Sequence, residues 1–372
     1  MRRSRSAAVL VILAVMAACS GDDEEAEPVD AAPPDSWRIV YTVEAGDAIV
    51  TDVVTVRRPF DSRLETYRGD KVEGEPGSVQ VSAFARLRQQ GAGGAPTVLA
   101  VPPGLAASDV RLDVVIPAAL ERGLLLLRAE DEVDGRPCRV YRSGQLLTGG
   151  VLAVPAEDDY ADSCVDAAGL VLQETLVSDG EMILRRTATD VEIDPETADE
   201  AFDAGEPTVP AASGGGSVRP LAPGTGRPGS FWVLDAPPDG FRSCGRFSVV
   251  PPQLTDPGGG ADQRVASVAQ VFVRGRDLLV VDQGATLQGD PPFEIGRGEP
   301  ADLGELGDGE LVLGSQTSEA RALLDGGGYV RVFGTLPPDD LLEIAGGLQV
   351  EDQSGPLDVL TDERPACRTN LR

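Results

Sequence analysis

The chain has 372 residues with 61 acidic and 32 basic side chains, a net charge of −29, and no histidine. The missing imidazole excludes Ser-His-Asp and Cys-His nucleophilic machinery, imidazole proton shuttles and histidine metal ligation. The acidic excess excludes a nucleic-acid binder, which needs clustered Lys and Arg for phosphate, and excludes electrostatic adsorption to anionic lipid.

In chain order, the N-terminus comes first as an export signal. Arg2, Arg3 and Arg5 precede an apolar run from Ala7 to Ala18. That run falls short of the roughly 20 residues a membrane span requires and has the size of a signal peptide core. It ends Val15-Met16-Ala17-Ala18-Cys19. This resembles the lipobox of bacterial lipoproteins, which implies cleavage after residue 18 and lipidation of Cys19. Met16 stands where that pattern has leucine. Cleavage would remove three arginines, leaving 29 basic residues against 61 acidic ones. Residues 21–34 carry Asp22, Asp23, Glu24, Glu25, Glu27 and Asp30 with no basic residue, and 19–35 reads as an acidic disordered tether. Acyl chains contribute about 0.8 kcal/mol per buried methylene, so a doubly or triply acylated Cys19 would hold the protein on the extracytoplasmic face of the cell membrane.

From Trp37 the pattern turns to short β-branched and aromatic runs separated by turn residues. Strands are predicted over 37–43, 49–56, 64–67, 78–84 and 110–115, with a Gly/Ala loop over 88–96. A short helix is predicted over 117–127, running into Leu124 to Leu127 as core. Then come Val133-Asp134-Gly135-Arg136-Pro137-Cys138 and Cys164-Val165-Asp166-Ala167-Ala168-Gly169-Leu170. Strands over 181–186 and 188–193 and Phe202-Asp203 follow. Gly169 supplies a turn between two antiparallel strands, and Asp166 can bond its own turn backbone. The order of Gly-Arg, Val-Asp and Gly-Leu signatures resembles the LolA-like half-barrel domains, both the LolA-type lipoprotein carriers and the N-terminal domain of MucB/RseB-type regulators.

Residues 205–230 are dominated by Pro, Gly and small side chains and read as a linker between domains 36–204 and 231–372. In the second domain, strands are predicted over 245–250, 265–273, 277–282, 310–313 and 329–333, with a hairpin turning at Gly275. A final helix places Leu341, Ile344, Ala345 and Leu348 on one face. This ending is similar to the small C-terminal domain of MucB/RseB-like proteins. The fold class expected is mainly β (α+β): a LolA-like antiparallel half-barrel with a helical lid, followed by a smaller C-terminal sheet domain with one helix.

Cys138, Cys164, Cys244 and Cys367 are even in number and belong to an exported chain, so two disulfides are expected. Three connectivities are open. Domain placement favours Cys138–Cys164 and Cys244–Cys367. Zinc is disfavoured, because no CxxC pair and no histidine exist. No GxSxG elbow, phosphate loop or HExxH occurs, and the acidic groups at 157–159 and 194–196 read as solvated loops. No catalytic residue, metal or cofactor is assigned.

The resemblance implies a different kind of site, an apolar concavity between sheet and lid that takes acyl chains. Alternation nominates Val40, Val54, Val56, Leu64, Phe84, Leu112, Val114 and Leu172 as inward-facing, with ordinary core packing as the competing role of each. With aromatics at 4% of the chain, such a concavity would be aliphatic, which suits an alkyl chain. The function expected is a membrane-anchored lipoprotein that binds a hydrophobic lipid or acyl ligand. The alternative is an envelope-stress regulator whose partner is the extracytoplasmic part of an anti-sigma factor. An envelope enzyme is the third reading.

Overall fold

The computed structural model describes residues 34–103, 111–209, 217–221, 229–250, 267–285, 291, 293–314 and 317–353. Cys19, the signal peptide, nearly all of the tether, and Cys367 lie outside the described residues.

The first domain is one antiparallel sheet of eleven strands. Strands β1 (Ser36–Ala45), β2 (Ala48–Arg57), β3 (Asp61–Arg68), β4 (Ser78–Ala83), β5 (Arg86–Gly91) and β6 (Thr97–Ala100) run outward as a meander. The chain then passes through helix α1 (Leu112–Glu121) to the opposite edge. It returns by β7 (Leu126–Val133), β8 (Arg136–Ser143), β9 (Tyr160–Asp166), β10 (Val171–Ser178) and β11 (Glu181–Ile193). β11 closes against β1, so the first strand sits at the centre of the sheet. Sheets this wide curl, because each strand is twisted relative to its neighbour.

Helix α1 replaces the strand expected over 110–115. Leu112, Val115, Ile116 and Ala119 are its buried residues, spaced i, i+3, i+4 and i+7, and that helical period outweighs the β-branched composition. The helix expected over 117–127 stops early. Gly123 takes a left-handed φ of 67°, and the leucine run passes into β7. Only Leu125 of that run is fully buried, while Leu126 and Leu127 are exposed on an edge strand that also carries Glu130, Asp131 and Glu132. The loop expected over 88–96 is shorter, because β5 continues to Gly91 against both β4 and β6.

The motif residues meet in one turn. Gly169 has a φ of 75°. Asp166 Oδ1 accepts hydrogen bonds from Ala168 N at 3.0 Å and Leu170 N at 2.9 Å, and its Oδ2 takes Arg136 Nη2 at 2.7 Å. The Gly-Arg and Val-Asp signatures are therefore two halves of a single salt-bridged turn. Cys138 and Cys164 form a disulfide between β8 and β9, Cα to Cα 5.5 Å. Cys244 is also disulfide-bonded, to a partner outside the described residues.

The second domain is an eight-stranded antiparallel sheet in the order β12-β14-β15-β16-β20-β19-β18-β17, with a two-stranded pair β13-β21. Its strands are β12 (Ser217–Leu221), β13 (Gly229–Val233), β14 (Arg242–Val250), β15 (Ser267–Arg274) and β16 (Asp277–Ala285). After these come β17 (Glu299–Asp302), β18 (Asp308–Val312), β19 (Ser318–Leu324), β20 (Gly328–Gly334) and β21 (Gln349–Gln353). The β15–β16 hairpin turns at Gly275, φ 56°, as its sequence predicts. Helix α2 (Pro338–Gly346) buries Leu341 and Ala345 on the sheet, Leu348 packs beside them and Ile344 is partly covered.

The stretch read as a linker is partly built into the fold. Arg86 Nη1 donates to Gly205 O at 2.7 Å, and Thr208 N donates to Val98 O at 3.0 Å, so 205–208 dock on the β5–β6 edge. Further on, β12 pairs with β14 and β13 with β21. The cause is apolar: Leu221 packs with Phe231, Val233 and Val268, and Val218 covers the core of the second sheet.

The two sheets share a core. Phe60, Phe84 and Ala85 of the first domain pack with Phe247, Val271, Leu278 and Phe333 of the second. The ring centroids are 5.0 Å apart for Phe60–Phe84 and 5.5 Å for Phe84–Phe247, both edge to face. Arg111 bridges to Asp277 at 2.7 Å and Arg122 to Glu299 at 3.1 Å. A backbone bridge joins Val151 to Gly314, and Leu152 N donates to Leu313 O at 3.0 Å.

Candidate ligand cavity

Register places side chains in rows, because residues directly opposite on neighbouring strands share a face. One row runs Ile39–Val54–Leu64–Gln80 across β1 to β4. A second runs Tyr141–Ser163–Glu174–Arg186–Val43 across β8, β9, β10, β11 and β1. Helix α1 packs on the Tyr141 end of that row, against Tyr141, Val165 and Val171. Beyond the helix the sheet holds a cavity of about 330 Å³. Its walls are Trp37, Ile39, Val43, Val54, Val56, Leu64, Leu170 and Leu184, with Leu146 and Thr148 of the β8–β9 loop over it.

Three of the residues nominated by alternation, Val54, Val56 and Leu64, line this cavity. The others stand elsewhere. Val40 pairs with Val53 and packs with Tyr67 in a separate cluster, since its neighbour Ile39 takes the cavity face. Phe84 is part of the inter-domain core. Leu112 is a buried residue of α1, packed on the sheet beside Tyr141, and Val114 is a half-buried residue of the same helix. Leu172 is fully buried beside a register shift in β10 and packs into the core with Trp37 and Cys164.

The cavity also holds polar groups that strand alternation of apolar residues does not mark. Glu174, fully buried, accepts hydrogen bonds from Thr148 N at 3.1 Å, Ser163 Oγ at 3.3 Å and Thr148 Oγ1. Tyr41 donates to Val171 O at 2.7 Å, and its ring lies 3.6 Å from the Arg186 guanidinium carbon. Burial pushes the Tyr41 hydroxyl up to about 12, even though Arg186 pulls it down. A clue was available: Glu174 and Arg186 sit at inward positions of strands whose other inward residues are apolar, and acids and bases are buried there only when something engages them.

Burial also holds the Glu174 carboxyl above its ordinary 4.5, because loss of water outweighs the Thr148, Arg186 and Ser163 contacts that favour the charged form. The folded chain therefore binds this proton more tightly than the unfolded chain. Stability from this site falls as pH rises from 4.5 through the raised value. Glu174→Gln removes that slope while keeping an acceptor for Thr148. Urea denaturation between pH 5 and 8 should show the variant gaining on the parent as pH rises; a constant difference would contradict this.

A second buried polar row in the C-terminal sheet is closed on itself. Arg331 Nε bonds Asp282 Oδ2 at 2.8 Å and Arg321 Nε bonds Glu310 Oε1 at 2.7 Å. It has the character of a structural network. Among the described residues no cluster of three metal-ligating side chains occurs, and no helix is long and apolar enough to cross a membrane.

No family model and no curated protein matches the chain. Among solved structures it is similar to the MucA/MucB complex structure from Pseudomonas aeruginosa. The identity there is 17%, with 86% of this chain and 94% of that chain covered, at a TM-score of 0.32. It is also similar to a LolA superfamily protein from Nitrosomonas europaea, at 10% identity, 46% and 90% coverage and a TM-score of 0.21. A third is a putative outer membrane lipoprotein-sorting protein domain from Vibrio parahaemolyticus, at 9% identity, 45% and 89% coverage and a TM-score of 0.19.

Proposed function

We propose that the chain is a membrane-anchored extracytoplasmic lipoprotein that holds a hydrophobic ligand, an acyl chain, lipid or acylated protein, in the half-barrel. It acts by binding and not by catalysis. The observation that carries this is the cavity beside α1, walled by apolar side chains with a few polar groups, whose volume lies at the lower end of the roughly 300–1,000 Å³ of small-molecule sites. The protein purified from its own host should yield an extractable lipid by mass spectrometry and take up a fluorescent fatty acid. Val54→Trp should abolish both by filling the cavity. No lipid and no uptake would overturn the reading. Cys19→Ala should release the protein from the membrane fraction, and retention there would refute the anchor.

A second reading, an envelope-stress regulator, is favoured by the C-terminal domain fused to the half-barrel through a shared apolar core. It predicts that the extracytoplasmic segment of a one-span anti-sigma factor encoded beside this gene binds the full chain.

A further inference from the structure

We infer that the cavity takes a single-chain amphiphile with an anionic oxyanion head, carboxylate or phosphate, and that Arg186 is the residue that receives the head. This rests on the cavity reading above and names the class of ligand.

Five arginines have a buried nitrogen without a hydrogen-bond partner: Arg58, Arg88, Arg136, Arg186 and Arg246. Four of them engage other nitrogens, Arg58 with Pro34 O, Arg88 with Gln90, Arg136 with Asp166 and Arg246 with Glu351. Arg186 makes no hydrogen bond to any described residue, although its side chain is only 17% exposed. Its Nε is buried without an acceptor, which is costly, while Nη1 and Nη2 are not buried, so an acceptor arriving at that edge meets donors that no protein hydrogen bond holds.

Glu174 does not fill that role. Its nearest approach to Arg186, from Oε2, is 3.8 Å, beyond hydrogen-bond reach, and the bonds from Thr148 and Ser163 hold the carboxylate at that distance. The other nearby cation, Arg63, is bonded to Glu65 at 2.7 Å and to Ala201 O at 3.1 Å. Asp52, the other carboxylate on the wall, accepts from Thr66 Oγ1 at 2.8 Å.

The geometry suits a fork. The guanidinium carbon lies 3.6 Å from the centre of the Tyr41 ring, and the Tyr41 hydroxyl is pinned to Val171 O, so the cation rests on a fixed aromatic support. A guanidinium edge meets a carboxylate or phosphate with two parallel bonds. Leu184 lies two residues along β11 and Val43 lies opposite Arg186 on β1, placing alkyl surface next to the cation, with Val54 and Leu64 farther along the wall on β2 and β3. The small volume favours one chain over two.

The test is isothermal titration of the full-length protein with dodecanoic acid, dodecyl phosphate, dodecanol, dodecyltrimethylammonium and inorganic phosphate. The two anionic amphiphiles should bind at least about tenfold more tightly than dodecanol, as expected for a charged hydrogen bond. The cationic amphiphile should bind more weakly than dodecanol. Inorganic phosphate alone should not saturate at millimolar concentration, because it lacks the chain. Arg186→Met combined with Glu174→Gln leaves no lone buried charge, and should bring the two anionic amphiphiles down to the affinity of dodecanol for the same variant. Arg186→Lys should restore part of it. Equal binding of acid and alcohol would overturn the role of Arg186 and leave the hydrophobic-ligand reading standing. Saturation by phosphate alone would move the site to a free anion and overturn the amphiphile. Failure of every amphiphile to bind would overturn both readings.

Discussion

Phe84→Ala should cost about 3–5 kcal/mol, the range for deleting a buried aromatic ring. The effect should be felt in both domains at once. Phe84 touches Phe60 on its own side and Phe247 across the junction, and the cluster they join reaches Val271, Leu278 and Phe333. Its backbone has a φ of 37°, a conformation that a bulky residue adopts only when its surroundings hold it. Alanine keeps that strain and loses the ring that justifies it. Phe84→Gly loses the same ring but sheds strain of on the order of 1 kcal/mol, so it should be the milder variant. Urea denaturation followed by intrinsic fluorescence should show one transition in the parent and a lower, split transition in Phe84→Ala. A variant that unfolds in one step at the parental midpoint would show that the junction carries no stability.

Loss of the Cys138–Cys164 disulfide should cost about 3.5 kcal/mol, from the chain entropy of a loop closed across 26 residues. The double alanine variant is the cleaner test, since it leaves no free thiol. The bond joins β8 to β9 next to Ser163, which donates to Glu174 on the cavity row. Its loss should therefore lower ligand affinity as well as the urea midpoint. Reducing agent applied to the parent should lower the midpoint at least as far, because it opens the Cys244 disulfide as well. A double variant as stable as the parent would place the stabilisation in the β8–β9 ladder alone.

Much of this architecture was legible from period-two alternation and turn chemistry. The hairpin at Gly275, the Asp166–Gly169 turn and the apolar face of α2 all follow from local rules. What escaped was set by long-range contact. Helix α1 carries Val114, Val115 and Ile116, a β-branched run, and only its burial against Tyr141, Val165 and Val171 makes the helical period decisive. Val218 and Leu221 are single apolar residues within a Pro/Gly stretch, and nothing local marks them as strand. For the cavity, alternation found Val54, Val56 and Leu64 but misplaced Phe84, since a residue next to a turn can face a second domain that no period reports. Glu174 and Arg186 lie 12 positions apart in sequence and become neighbours only through the β10–β11 register.

The loop between β8 and β9 does two jobs within seven residues. Leu146 and Thr148 close over the cavity, while Val151 and Leu152 are hydrogen-bonded to Gly314 and Leu313 of the other sheet. A ligand that pushes Thr148 aside must pull on that seam, and a partner that loosens the seam must release the cavity wall. Free energy linked in this way is reciprocal: whatever factor occupancy applies to the junction, the junction returns to occupancy. If a ligand displaces Thr148, the second domain is coupled to the cavity through these seven residues, and a change at either end is felt at the other by the same factor.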